Sequence, residues 1–514
     1  MNKNTFFKTL AVGFATSFIL MAVSYHGYKT PIQANALEGV IHVEVKTSES
    51  TKVYEYYDGR SAWNAATGFA DANNQVKMIF GINWEHDSQL ILATQKNLTI
   101  DLNGHYIKRT RNKKQINNGS VFRVEKDTIL TIMDSNPDVL GYEGVKGGVI
   151  TGGASGNCAG GIHIEENGHV IWQGGTLYDC NSDYHGGGFY VDGSNDGTTL
   201  TMTGGRIYSC QTIDSVDNCH GGAIYVKNGK VDISNVTIDN CYSEDYGGGI
   251  YIDDGYVNVS NTAFSANYAK DYGGAVYLAG DALINFKDCI FAGNKADDDG
   301  GALYINNNPS KDKNTSFSNI EYPATIFSGC VFRNNNAGDI GGAIFIDDDN
   351  VALIDVTIEN NIAKTAGGGV WVDSLSDITF KGKCIVNNNI CTKNSAFRNV
   401  TLQKGAASQA YVYSAGLTSG SYIGINSDSS SNDVMIALAM SKYQMQYFHA
   451  DAGTLVMRDE HEEHADMVVT ASLFGNGILW VSVGIGVAGI GAAVFVIVRR
   501  KKIIAKAKTE EGDE

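Results

Sequence analysis

GGAIYV (221–226), GGGIYI (247–252), GGAVYL (273–278) and GGALYI (300–305) are four copies of one phrase, and their spacing decides the fold. The phrase also stands as AGGIHI from Ala159, GGGFYV from Gly186, GGAIFI from Gly341 and GGGVWV from Gly367. Successive starts differ by 27, 35, 26, 26, 27, 41 and 26 residues, a unit of about 26 with two insertions. A second signature precedes the glycines by nine and six residues: Phe264 with Asn267, Phe291 with Asn294, Phe332 with Asn335, Ile358 with Asn361. Cys180, Cys210 and Cys241 take the Asn place in earlier repeats.

Between the signatures run short alternating β-branched and aromatic stretches such as VDISNVTI, broken by Asx and Gly turns. A unit of this length is too short for a propeller blade and suits one coil of three short strands. Stacked coils pair each strand with its equivalent about 4.8 Å above and below, so like residues form ladders. An Asn at a recurring place can bridge successive coils through its amide, and the Gly pairs fit a sharp corner. The expected fold is all-β, a right-handed parallel β-helix.

The flanks place this solenoid outside a cell. Residues 1–36 read as a signal peptide: Lys3 and Lys8, an apolar run over 10–23, then Ala34-Asn35-Ala36 as a cleavage site. Residues 474–498 carry no charge and are long enough for a transmembrane helix. Arg499, Arg500, Lys501 and Lys502 follow, so 499–514 is expected to be a cytoplasmic tail. Between them come an N-terminal cap at 37–94, the repeats at 95–392, and a C-terminal β cap and acidic linker at 393–465. His461-Glu462-Glu463-His464 matches no zinc protease motif and reads as part of that linker.

Composition agrees with an array. Gly is 60 of 514 residues and Pro only 4, so glycine does not mark disordered linker, and 26 Tyr are foreign to a disordered acidic chain. A net charge of −17 argues against nucleic acid as the partner.

The GGA[ILV] phrase paired with Phe-x-x-Asn resembles the repeats of the chlamydial polymorphic membrane proteins, which are surface adhesins. It is also similar to large β-helix surface proteins of gut Firmicutes, which share the LTIDLNGH-type entry. The resemblance covers about residues 150–390 and implies the fold and, by analogy, adhesion. The chlamydial family exports through a C-terminal β-barrel; here a hydrophobic span with a basic stop takes its place.

Alternation along the strand assigns the aliphatic pair of each phrase to the core and its middle residue to the other side. That column is Tyr190, Tyr225, Tyr251, Tyr277, Tyr304, Phe345 and Trp371, preceded by His163. With small neighbours leaving the rings accessible, it is a strip for a glycan or a protein of a host or neighbouring cell; the other reading is ring stacking that stabilises the sheet. Asp192, Asp253, Asp347 and Asp373 follow on the same strand and could hold Ca²⁺, the one cofactor considered; Asp is also the ordinary turn residue. The nine cysteines include no CxxC pair and read as stacked buried thiols, with disulfides the alternative. A polysaccharide lyase or hydrolase would need basic residues or a carboxylate pair on a strand face, and the repeated faces show Gly, Ala and aromatics. The expected function is a surface adhesin or binding protein; a degrading enzyme and a ligand-free stalk are the alternatives.

Overall fold

The computed structural model describes residues 39–470, except 72, 111–116, 194–196, 214–217, 308–324, 394, 406–407, 429–433 and 459–463. The expected signal peptide, transmembrane helix and tail, and most of the His461–His464 motif, lie outside the described residues. Among the described residues no helix is long and apolar enough to cross a membrane.

The chain winds as a parallel β-helix. One coil shows the pattern: Ile224–Asn228, Lys230–Ser234, Thr237–Asp239 and Tyr242–Ser243 are successive strands, and Ile250–Ile252 begins the next turn directly over Ile224. The sequence predicted three strands per coil, and the structure has four. Asn240 sits at φ +54 and breaks the run in two; Asn235 at φ +56 makes the corner before it. Asn tolerates this left-handed region better than other side-chain-bearing residues, so the Asx turns of the sequence are the corners of the coil.

Glycine is needed at the remaining corner. Gly221 has φ +70, and a Cβ on Gly222 would lie 2.3 Å from the carbonyl oxygens of Tyr242 and Gly248. The first glycine supplies the bend and the second lets two coils approach.

Stacking follows the sequence register. Phe264 pairs with Phe291 and Phe291 with Phe332, their rings 4.7 and 4.6 Å apart and nearly parallel in the core. The Asn ladder runs beside them. Asn267 Nδ2 donates to Asn294 Oδ1 at 3.1 Å, and the chain continues through Asn335, Asn361, Asn389 and Asn399 at 2.9–3.0 Å. Asn399 Nδ2 ends on Asp451 Oδ1 at 2.6 Å, where burial pushes the Asp451 carboxyl up to about 6. Each side-chain oxygen also accepts a backbone N–H, so this fully buried polar row is hydrogen-bonded throughout. The nine cysteines are thiols, and eight of them are buried.

Coil pairing reaches beyond the repeats at both ends. Gln75–Phe80 already pairs in parallel with Asn97–Asp101. An antiparallel hairpin, Ile41–Lys46 with Thr51–Tyr56, and the helix Gly59–Phe69 precede it. At the other end Tyr411–Leu417 still stacks on Asp377–Gly382, and a three-stranded antiparallel sheet of Val434–Ser441, Thr454–Arg458 and His464–Thr470 follows. From Gln75–Phe80 to Tyr411–Leu417 the eleven parallel steps make a column about 50 Å long.

Candidate functional site

The aromatic column forms as a ladder, but the accessible strip expected from the sequence is corrected. Tyr190, Tyr225, Tyr251, Tyr304, Phe345 and Trp371 keep only 6–9% of their exposure, and Tyr277 is half-buried. Tyr225, Tyr251, Tyr277 and Tyr304 stack at 4.9–5.1 Å with interplanar angles of 2–5°.

A second row covers them. The residue before each Gly pair folds back across the strand, so His185 lies 4.4 Å from Tyr225, His220 4.5 Å from Tyr251, Tyr246 4.9 Å from Tyr277 and Tyr272 4.8 Å from Tyr304. Each covering ring thus sits on the strand ring of the following coil. Farther along, Ile340 and Ala366 pack on the group of Tyr304, Phe345 and Trp371. The result is a second hydrophobic layer outside the main core. Burial holds the phenols of Tyr190, Tyr225 and Tyr251 far above their ordinary range and pushes His185 down to about 4 and His220 to about 3.

The acidic column does not gather its four members at one place. Backbone bonds place Lys227 between Asp192 and Asp253, and Ala279 and Asn306 between Asp253 and Asp347, while Asp347 and Asp373 stand on adjacent coils. Asp347 instead accepts the Tyr304 hydroxyl at 3.0 Å and the Asn306 amide at 3.1 Å; Asp253 accepts the Tyr225 hydroxyl at 3.5 Å. These carboxylates hold the polar tips of the buried rings, and burial raises the carboxyls of Asp253 and Asp347.

Two groups that sequence reasoning missed bring metal-capable side chains together. Asp298, Asp299 and Asp339 meet in a turn, where burial, with the neighbouring carboxylates, pushes Asp299 up to about 7. On the strand face, His163, Glu165 and Asp192 converge with all three ligand atoms within 4.8 Å. His163 Nε2 lies 3.7 Å from Glu165 and 4.0 Å from Asp192, and is buried without a hydrogen-bond partner. Arg123 reaches Glu165 at 2.9 Å and Lys227 reaches Asp192 at 2.8 Å, so two cations already neutralise the two carboxylates. The nearby His163 imidazole, with the bond from Lys227, holds the Asp192 carboxyl below its usual range. The five residues lie on four successive turns, and register alone, not any local motif, assembles them.

Residues 215–407 match the family model described as a right handed beta helix region. Together with the parallel stack, this makes the solenoid a right-handed β-helix. No curated protein and no solved structure matches the chain. A right-handed β-helix fits both surface adhesins and polysaccharide-binding or polysaccharide-degrading proteins, so function has to be argued from the sites.

Proposed function

We propose that the chain is a single-pass, membrane-anchored surface protein whose β-helix is a stiff adhesive stalk, holding a glycan or a protein of a host or neighbouring cell. The observation that carries this reading is the double layer. A continuous main core is reinforced along one side by a second stack of rings, so the described coils form one column without a hinge between repeats. Such an object is suited to distance and rigidity. The signal-like start and the basic residues after 498 support an exposed column with its C-terminus inside. The adhesin-like repeats support the same reading by resemblance.

One observation favours a second reading, a polysaccharide-degrading enzyme. His163, Glu165, Asp192 and Arg123 set a base, two carboxylates and a guanidinium within one patch of strand face.

Cells expressing the full chain separate these readings. The proposal expects external protease to remove the ectodomain, and epithelial cells to bind before that treatment and not after. A folded ectodomain that binds neither cells nor arrayed glycans would leave a stalk without a ligand. Release of new reducing or unsaturated sugar ends, abolished in His163→Ala, would favour the enzyme.

A further inference from the structure

The buried column has an open counterpart on another face. The strands Tyr106–Arg109, Val149–Thr151, Thr176–Tyr178 and Arg206–Tyr208 stack in register, and their outward side carries Tyr106, Tyr178 and Tyr208. The segment 135–147, inserted before Val149, folds over this side and lays Tyr142 between Tyr106 and Tyr178, at 4.9 and 6.1 Å. Tyr178 and Tyr208 stack at 5.4 Å. All four rings are partly exposed, and among the described residues no second row of rings covers them.

Beside this row the insertion and the coil turns enclose an open groove of about 510 Å³, within the range of small-molecule sites. Its polar lining includes Asp134, Glu143, Lys146, Thr176, Arg206 and the Tyr208 ring. Most of these groups are fixed. Arg206 lies 3.9 Å over Tyr208 and makes a two-pronged bond with Asp239, its Nε at 2.7 Å. Glu143 accepts the Tyr178 hydroxyl at 3.1 Å. Asp134 accepts the backbone N–H groups of Gly104 and Gly148 at 2.8 and 2.6 Å and so pins the insertion to the coil. A ligand here meets donors and acceptors already in place, which lowers the ordering cost of binding.

The charges identify the ligand class. Two carboxylates, Asp134 and Glu143, face two cations, Lys146 and Arg206. With Arg206 already paired to Asp239, a phosphate, sulfate or uronate would meet more carboxylates than free cations, while Lys146 and the Arg206 guanidinium repel a polycation. An uncharged molecule dense in hydroxyls can donate to the carboxylates and accept from the guanidinium, ammonium and phenol groups together. Its C–H faces can rest on the glycine-rich floor at Gly175 and Gly205.

We propose that this groove binds a neutral hexose unit of a glycan chain, with the tyrosine row as the track for the neighbouring units. The proposal rests on the binding reading above and names its site.

The test applies the full chain to an array of neutral hexose and hexosamine oligosaccharides beside sialylated and uronate-bearing ones. Wild type is expected to bind neutral glycans. Lys146→Glu, an exposed position, and Tyr178→Ser/Tyr208→Ser are each expected to weaken binding at least tenfold with the fold retained by circular dichroism. Wild-type binding that both variants keep overturns the groove while leaving the binding reading intact. So does binding only to acidic glycans, or to a cell-surface protein with no glycan bound. Should a double variant unfold, Lys146→Glu alone decides. A wild type that binds neither array nor cells overturns the binding reading itself.

Discussion

Two tyrosine rows run along the same β-helix and have opposite fates. Tyr225, Tyr251 and Tyr277 stand at the middle of the glycine phrase, and Tyr106, Tyr178 and Tyr208 on the outer side of another ladder. Both face away from the main core, and Tyr178 stacks on Tyr208 at 5.4 Å much as Tyr225 stacks on Tyr251 at 5.1 Å. The first is roofed by His220 and Tyr246, because the glycine at φ +65 to +70 turns the preceding residue back over the strand. The second has only Tyr142 from one insertion, and its rings remain open beside a groove. Direction away from the core is therefore not the same as access to solvent. What lies over a side chain depends on the backbone path of the next coil.

The largest expected effect breaks the buried row. Tyr251→Ala removes a ring packed against Tyr225, Tyr277 and His220, and should cost about 3 kcal/mol in denaturant unfolding. Changing Tyr225, Tyr251, Tyr277 and Tyr304 together to Ser should abolish cooperative folding near physiological temperature. A quadruple variant melting like wild type would mean that the roof is absent.

Acid should probe the roof itself. In the unfolded chain a histidine takes up its proton below about pH 6.5. Burial, with His185 alongside, pushes His220 down to about 3, so the folded chain leaves it neutral. The unfolded state therefore binds more protons in acid. This contribution to stability is complete above pH 6.5 and is lost as the pH falls toward 3. His220→Phe, which keeps a ring in place, should gain about 2 kcal/mol relative to wild type between pH 7 and pH 5. A constant difference over that range would place His220 in water.

The smallest effect belongs to the open row. Tyr178→Ala removes a half-exposed ring and one hydroxyl bond to Glu143, and should change stability by less than about 1 kcal/mol. A loss comparable to that of Tyr251→Ala would show that this row is also a structural layer.

Much of this was legible in the sequence. The 26-residue period gave the coils, and the Phe-x-x-Asn signature gave both the ring stack of Phe264, Phe291 and Phe332 and the amide ladder beside it. These features repeat at one phase, and stacking turns phase directly into contact. The cover over Tyr225 was written as well, since His185, His220, Tyr246 and Tyr272 each precede a glycine pair. Period-2 alternation says only which side of a strand a residue takes and is silent about a chain folding back. The groove left a fainter trace in GGTLY and GGRIY, which put Tyr178 and Tyr208 in one phase. Its other half comes from an insertion outside the period. The group of His163, Glu165, Arg123, Asp192 and Lys227 had no local motif at all, because four coils contribute to it.

Hydroxyl-radical footprinting of the full chain, read by mass spectrometry residue by residue, tests the contrast between the rows most directly. The account predicts that Tyr106, Tyr142, Tyr178 and Tyr208 oxidise readily in the folded protein, while Tyr190, Tyr225 and Tyr251 stay protected until denaturant is added. Equal oxidation of the two rows in the folded protein would contradict it.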